Sequence, residues 1–304
     1  MRPFRFGVLT KGAPTRKAWH ERLGRVQDAG FSSLLVPVHT TPQFSPVAAL
    51  ADAAARTSLR IGTLVHNNDL QHPALLARDA TTLALLSDGR FELGIGAGWM
   101  ERDYRQLGLR LAPGRDRVGR LAEAIEILRR LCRGEEVSCR GDHYQVEGCA
   151  GMAGPPVPLL IGAGGPRMLR LAASAADIVS FSRDMSAGST PHEIAMDAAL
   201  ESVERKKRLL YAHTGGRDVE LNILCVRTAI GTGAQAQLDR YSAMTGVTRQ
   251  TARETPEHLL AASPAELSDL LYERRARTGI SYYVIRDADL DQASVIVRKL
   301  SGAT

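Results

Sequence analysis

Four short clusters carry residue types that could do chemistry, and each follows a run of apolar residues. Val38-His39-Thr40-Thr41 comes after Ser33-Leu34-Leu35-Val36-Pro37 and offers an imidazole able to move a proton near neutral pH. The same histidine could equally satisfy a loop carbonyl. Val65-His66-Asn67-Asn68-Asp69 brings side-chain amides that can pair with the edge of a heterocycle, although Asn and Asp are also ordinary turn residues. Gly94-Ile95-Gly96-Ala97-Gly98-Trp99-Met100 alternates small residues, which leaves room for a flat ligand against the backbone, with Trp99 as a stacking face. In Gly162-Ala163-Gly164-Gly165-Pro166-Arg167-Met168, two glycines lead into a helix opened by Pro166. The bare N–H groups of that turn suit a phosphate, and Arg167 adds a positive charge.

The elements that must position these clusters alternate regularly. Short apolar runs at Phe6–Leu9, Ser33–Pro37, Leu59–Val65, Phe91–Ile95, Leu159–Gly162, Asp177–Ser180, Leu221–Val226 and Tyr282–Ile285 read as strands. Amphipathic stretches between them read as helices, among them Thr15–Ala29, Pro46–Arg56, Pro73–Ser87, Arg117–Arg133, Pro166–Ala175, Pro191–His213 and Leu290–Leu300. Strands that are apolar along their whole length, each followed by a helix, imply a parallel sheet covered on its outer face. Eight such units predict a (β/α)8 barrel as a single domain over residues 1–304, and functional groups then gather where strands end. Two departures from the rhythm are expected: a small hairpin near 134–156 and a helical insertion, 234–277, before the last strand. A dinucleotide fold would show GxGxxG after its first strand, whereas Leu9-Thr10-Lys11-Gly12-Ala13-Pro14 has one glycine.

Composition narrows the function classes. With 44% hydrophobic and 24% charged residues the chain has the makeup of a globular protein. The net charge of +6 is dispersed, and the run Glu204-Arg205-Lys206-Lys207-Arg208 reads as a solvated helix face. Aromatic residues are only 5%, which argues against a nucleic-acid surface. No apolar stretch approaches the roughly 18 residues of a membrane helix, and the N-terminus lacks a signal-peptide pattern. A cytoplasmic location is expected. Cys132, Cys139, Cys149 and Cys225 form no CxxC pair and no His/Cys cluster, so free thiols and no metal site are expected.

Taken together, His72-Pro73 through Asp88-Gly89-Arg90-Phe91-Glu92-Leu93-Gly94-Ile95-Gly96-Ala97-Gly98-Trp99, the run Pro158–Leu169, and Gly30-Phe31 to His39 resemble the bacterial luciferase-like family. Within it the chain is most similar to the branch that uses the 5-deazaflavin coenzyme F420. The resemblance implies a homodimeric barrel acting on a small-molecule substrate. The ring would sit at the C-terminal mouth of the strands, and the coenzyme phosphate on the Gly164-Gly165 turn. It implies a non-prolyl cis peptide at Leu64–Val65 behind the ring, a coenzyme lining of Asn67, Ala97, Gly98, Arg167 and Met168, and a proton-transfer role for His39.

The sequence departs from the family pattern at three places. Val38 stands where many relatives have Asp, Trp99 where some F420 enzymes have Glu, and Met100-Glu101-Arg102 where Asn is often found. Arg102 could pair with an anionic coenzyme or face solvent. The function expected is an F420-dependent oxidoreductase that passes a hydride to or from an organic substrate. The alternatives are an FMN-dependent monooxygenase on the same barrel and a coenzyme-binding barrel without turnover. The loops 40–46, 183–191 and 227–250 would meet the substrate, with Arg183 and Arg227 either gripping an anionic group or forming rim salt bridges.

Overall fold

A computed structural model describes residues 1–186 and 190–303, so part of the loop 183–191 lies outside the described residues. Eight parallel strands form the main sheet: β1 (Arg5–Leu9), β2 (Ser33–Val36), β3 (Arg60–Thr63), β4 (Phe91–Gly96), β5 (Leu159–Ala163), β6 (Ile178–Phe181), β7 (Glu220–Cys225) and β8 (Tyr282–Arg286). Their hydrogen-bonded order is β3-β2-β1-β8-β7-β6-β5-β4, and β3 also pairs with β4, so the sheet closes as a barrel. β2, β4 and β6 are buried along their whole length, as expected for strands covered on both faces.

The chain divides into two compact units. One comprises Met1–Leu9, Arg25–Ser33 and Ala163–Thr304. In it β1 pairs with β8 from Arg5↔Tyr282 to Leu9↔Arg286, and stacked Phe6 and Tyr283 fill the core. Buried Glu220 at the start of β7 accepts from Arg5 at 2.6 Å. The other comprises Thr10–Gly24 and Leu34–Gly162. Here β3 meets β4 at Ile61↔Phe91, and β4 meets β5 at Leu93↔Leu159. Buried Glu92 of β4 accepts from Arg60 at 2.5 Å, so its charge is compensated within the core.

The expected hairpin is present as Val137–Arg140 paired antiparallel with Gln145–Cys149. Four expectations are corrected. β3 ends at Thr63 and not at Val65; a cis peptide bond joins Leu64 to Val65, and a two-residue strand, His66–Asn67, then pairs with the end of β4. The insertion before β8 is not wholly helical. His258–Ala261 is a strand and pairs in parallel with Arg227–Ile230, burying Leu260 against Leu238 and Tyr241 of the helix Thr232–Thr245. The apolar run Leu259-Leu260-Ala261 between Pro256 and Pro264 is the strand signal hidden inside a helical pattern.

The helix expected from Pro191 to His213 is two helices, Pro191–Ala198 and Leu200–Tyr211, parted at an extended Ala199. Thr190 and Glu193 form a capping box that starts the first. Lys206 explains how its end is tolerated and corrects the solvated-face reading. It is buried, and its ammonium donates to the Asp197 carbonyl, the Asp197 carboxylate and the Ser182 carbonyl at 3.2, 2.8 and 2.9 Å.

Candidate active site

His39 lies just beyond β2, where a barrel strand hands over to its loop, and Val38 beside it supplies no carboxylate. Asp103 supplies one instead. Its Oδ2 is 2.6 Å from His39 Nδ1, so the imidazole donates from Nδ1. Asp103 is 1% exposed and also accepts from the Thr40 hydroxyl at 2.8 Å and the Thr40 amide at 3.3 Å. Burial alone would raise its pKa, but these bonds from His39 and Thr40 outweigh burial and hold the carboxyl below the usual range. Asp103 sits on a short helix, Glu101–Gln106, that the apolar periodicity does not announce. With Nδ1 engaged, Nε2 of His39 is the nitrogen left to exchange a proton. Trp99 meets the ring edge-on with centroids 6.4 Å apart, and it is 50% exposed.

The glycines of β4 and its exit have a purpose different from the one expected. A Cβ on Gly94 would lie 1.8 Å from the Thr63 carbonyl oxygen, and one on Gly96 would lie 3.0 Å from Val65 Cγ2. Gly162 likewise faces Val65 at 3.6 Å. The space these glycines leave is taken by the protein's own 63–65 segment, which seats Val65 in a glycine-lined cradle.

Asn67 is buried, and its Oδ1 accepts from the Asp69 amide at 3.1 Å and lies 3.3 Å from the Tyr104 hydroxyl. That bond from Asp69 fixes the orientation of the amide, and its Nδ2 is left as the open donor. Tyr104 donates to Asp69 Oδ2 at 2.9 Å, which Arg120 also meets at 2.9 Å. Burial pushes the Tyr104 phenol up to about 12, with the negative charge of Asp69 adding to the effect, so it stays a donor. Arg117 donates to the carbonyls of Ala97 and Gly98, while Gly98 takes a φ of 75°. Ala97, Gly98 and Asn67 are thus held together by Tyr104 and Arg117. Arg102 is exposed and its nearest partner is Met100 Sδ at 3.7 Å, so it faces solvent.

The glycine turn after β5 enters the helix Pro166–Ala175 as its sequence predicts. Gly165 is the N-cap, no side chain caps the helix, and its first turn has no acidic residue. The amides of Arg167 and Met168 therefore remain for an anion. Arg167 is exposed and Met168 half-buried. Gly164 allows the close approach of the Arg183 carbonyl, which a Cβ would meet at 2.1 Å. Asp184 lies against Gly165, with Oδ1 at 2.9 Å from where a Cβ would sit. Arg183 is exposed, and Arg227 stacks over the Tyr241 ring at 4.9 Å. Their charges act on Glu257, whose carboxyl burial nevertheless holds above its usual range.

Residues 3–207 match the luciferase-like monooxygenase family. The chain belongs to that family. An F420-dependent glucose-6-phosphate dehydrogenase from Beutenbergia cavernae is 35% identical over 162 residues, 50% of this chain and 48% of that protein. The enzyme of the same name from Amycolatopsis mediterranei is 32% identical over 164 residues, 50% and 49% of the two chains. The chain thus spans about half the length of the curated relatives it matches. An F420-dependent secondary alcohol dehydrogenase in complex with an F420-acetone adduct superposes with a TM-score of 0.78, covering 99% of both chains at 18% identity. The oxygenating constituent of 3,6-diketocamphane monooxygenase from Pseudomonas putida, in complex with FMN, gives 0.73 at 14% identity, covering 98% of each chain. These structures show the shared fold.

In this luciferase-like chain the sequence reading found His39 but missed its partner. The only signal was an acidic residue within one helical turn of Met100, and spacing alone does not single out Asp103 from Glu101. Tyr104 and Arg117 were missed for the same reason, because each acts from a helix on a loop distant in sequence. Among the described residues no group of three or more His, Cys, Asp or Glu could hold a metal ion. No helix of the described residues is long and apolar enough to cross a membrane.

Proposed function

We propose that this luciferase-like protein is an F420-dependent oxidoreductase that exchanges a hydride between the deazaflavin and a small organic substrate, with His39 moving the accompanying proton. The reading is carried by one observation, the His39–Asp103 pair. A buried carboxylate at Nδ1 fixes the tautomer and leaves Nε2 as the exchanging atom, the arrangement a histidine acid/base requires. The similarity to F420-dependent dehydrogenases points to the coenzyme.

Each unit offers residues that suit a part of such a group. Val65 and Leu64 would back the ring, and Asn67 would donate its free Nδ2 to an acceptor on the ring edge. Ala97, Gly98 and Trp99 would border it. The uncapped amides after Gly164-Gly165 would hold a phosphate, joined by Arg167 and Met168. F420, when bound, supplies two-electron hydride chemistry. The chain's share is to orient the ring, exclude water and hold or release a proton at His39 Nε2. Arg102, exposed beside this loop, would be available to pair with an anionic group of the coenzyme.

One barrel domain over residues 1–304, paired as a homodimer, belongs to the same proposal. Val47 on the helix Pro46–Arg56, with Leu75 and Leu86 on the helix Pro73–Leu86, is between 40% and 60% exposed, an apolar surface suited to self-association. Light scattering after gel filtration tests it. The free cysteines suit a cytoplasmic location.

The deciding experiment titrates the purified protein separately with F420 and FMN, each oxidised and reduced, and follows coenzyme fluorescence. Tight binding of F420 with weak or absent FMN binding is expected. Tight FMN binding without F420 binding overturns the proposal in favour of a flavin monooxygenase.

A further inference from the structure

The unit formed by Thr10–Gly24 and Leu34–Gly162 contains a cavity of about 260 Å³ between its helices Pro46–Arg56 and Pro73–Leu86 and the strand β4. Leu50, Leu76, Phe91 and Leu93 make most of its wall apolar. Five polar residues interrupt that wall: Ser45, Thr63, His66, Gln71 and Asp79. We propose that this cavity is a second small-molecule site, built for a neutral and mainly apolar molecule bearing one hydroxyl or carbonyl that hydrogen-bonds His66.

His66 carries the argument. It is 7% exposed, and its Nε2 is buried without a hydrogen-bond partner. Buried polar atoms nearly always find partners, so an orphan nitrogen on a cavity wall marks the place where a ligand atom is needed. A hydroxyl can serve this nitrogen in either tautomer, because it both donates and accepts.

The ligand's charge follows from the neighbours. Burial holds His66 down at about 4, so near neutral pH it offers no positive charge to an anion. Asp79 on the wall is already engaged by Gln71 at 2.7 Å and Arg78 at 3.0 Å, and its negative charge repels carboxylates and phosphates. An anionic coenzyme tail is therefore the wrong occupant.

Size follows from the volume. An apolar cavity of roughly 150 Å³ accepts benzene, so this one takes a substituted six-membered ring or a branched chain. Val47, 40% exposed in a single copy, lines the cavity, so its outer wall is the helix face proposed above for self-association, and the ligand would enter the unpaired copy. None of the residues proposed to line F420 contributes to it, so the site stands or falls independently of the coenzyme.

The test uses phenol and toluene, which share a ring and differ by the hydroxyl. Each is titrated into the 304-residue protein labelled with 15N-histidine, following the His66 imidazole resonances and the thermal midpoint. Phenol should bind at millimolar concentration or tighter, shift the His66 Nε2 resonance and exceed toluene in affinity about tenfold. His66→Leu should abolish that preference, and Ala80→Leu, which fills the cavity, should abolish binding of both. If Ala80→Leu does not fold, Ala80→Val narrows the cavity at a lower packing cost and should weaken binding of both. The proposal is overturned if neither compound binds, if both bind equally to the wild type, or if a filled cavity still binds them.

Discussion

His39 takes its carboxylate partner from a residue 64 positions away, with Nδ1 at 2.6 Å from Oδ2 of Asp103, and not from its neighbour Val38. Replacing Asp103 by Asn keeps the size of the side chain but substitutes an amide whose oxygen is a weaker acceptor and whose NH2 faces donors. His39 then loses its fixed tautomer and orientation. Asp103→Asn should lower kcat about 100- to 1000-fold, within the range assigned to positioned acid–base groups, while leaving F420 affinity within a factor of about three. Steady-state kinetics with a fluorescence titration separates the two effects. An equal loss in coenzyme affinity would make Asp103 a structural support only.

That pair also shows where sequence reading reached its limit. The barrel was legible because each strand is a short apolar run and each helix repeats its apolar face, both local patterns. The turn proposed to hold the phosphate was legible as a turn, because Gly164-Gly165-Pro166 encodes a turn and a helix start within three residues. Asp103, Tyr104 and Arg117 were not legible, because what they do depends on contacts with His39, Asn67 and Gly98 across the fold. The β4 glycines were legible as a close approach but not as to what approaches, and the structure puts Thr63 and Val65 there. The strand His258–Ala261 was hidden because four residues between helices carry too little periodicity.

The phosphate turn should respond to Asp184. Its carboxylate lies against Gly165, and like charges close together weaken anion binding. Asp184→Asn removes the repulsion and keeps an oxygen for Ser186, which donates to Asp184 Oδ1 through its amide at 2.9 Å and its hydroxyl at 2.7 Å. Affinity for F420 should rise about two- to tenfold, with the gain shrinking at high salt. A titration at two ionic strengths checks this; unchanged or weaker binding places the phosphate elsewhere.

Gly94 should be among the least replaceable residues of β4. An alanine Cβ would stand 1.8 Å from the Thr63 carbonyl oxygen, a backbone atom that cannot swing aside as a side chain could. Gly94→Ala should therefore destabilise the fold by about 1–3 kcal/mol or more, as overpacking does. Gly24→Ala, where nothing lies within 4 Å, is the control and should be neutral or slightly stabilising in its helix. Thermal midpoints of the two variants give the answer directly, and equal midpoints would mean that the 63–65 segment yields.

Acid should weaken the protein through two buried histidines. Burial lowers the pKa of both His66 and His258 to about 4, and His258 Nδ1 is 2.7 Å from the Ala252 carbonyl that it donates to. In the unfolded chain each would take up a proton near pH 6.5. Between these values unfolding binds protons that the folded state refuses, so stability is full above about 6.5 and falls as pH drops toward 4. The slope is about 1 kcal/mol per pH unit for each histidine. Denaturant melts from pH 7 to 4.5 should show this decline, and the double variant His66→Leu/His258→Gln should show a clearly flatter one. An unchanged slope in the double variant would assign the acid sensitivity to the carboxylates instead, Asp103 foremost, whose lowered pKa makes its own contribution disappear only at lower pH.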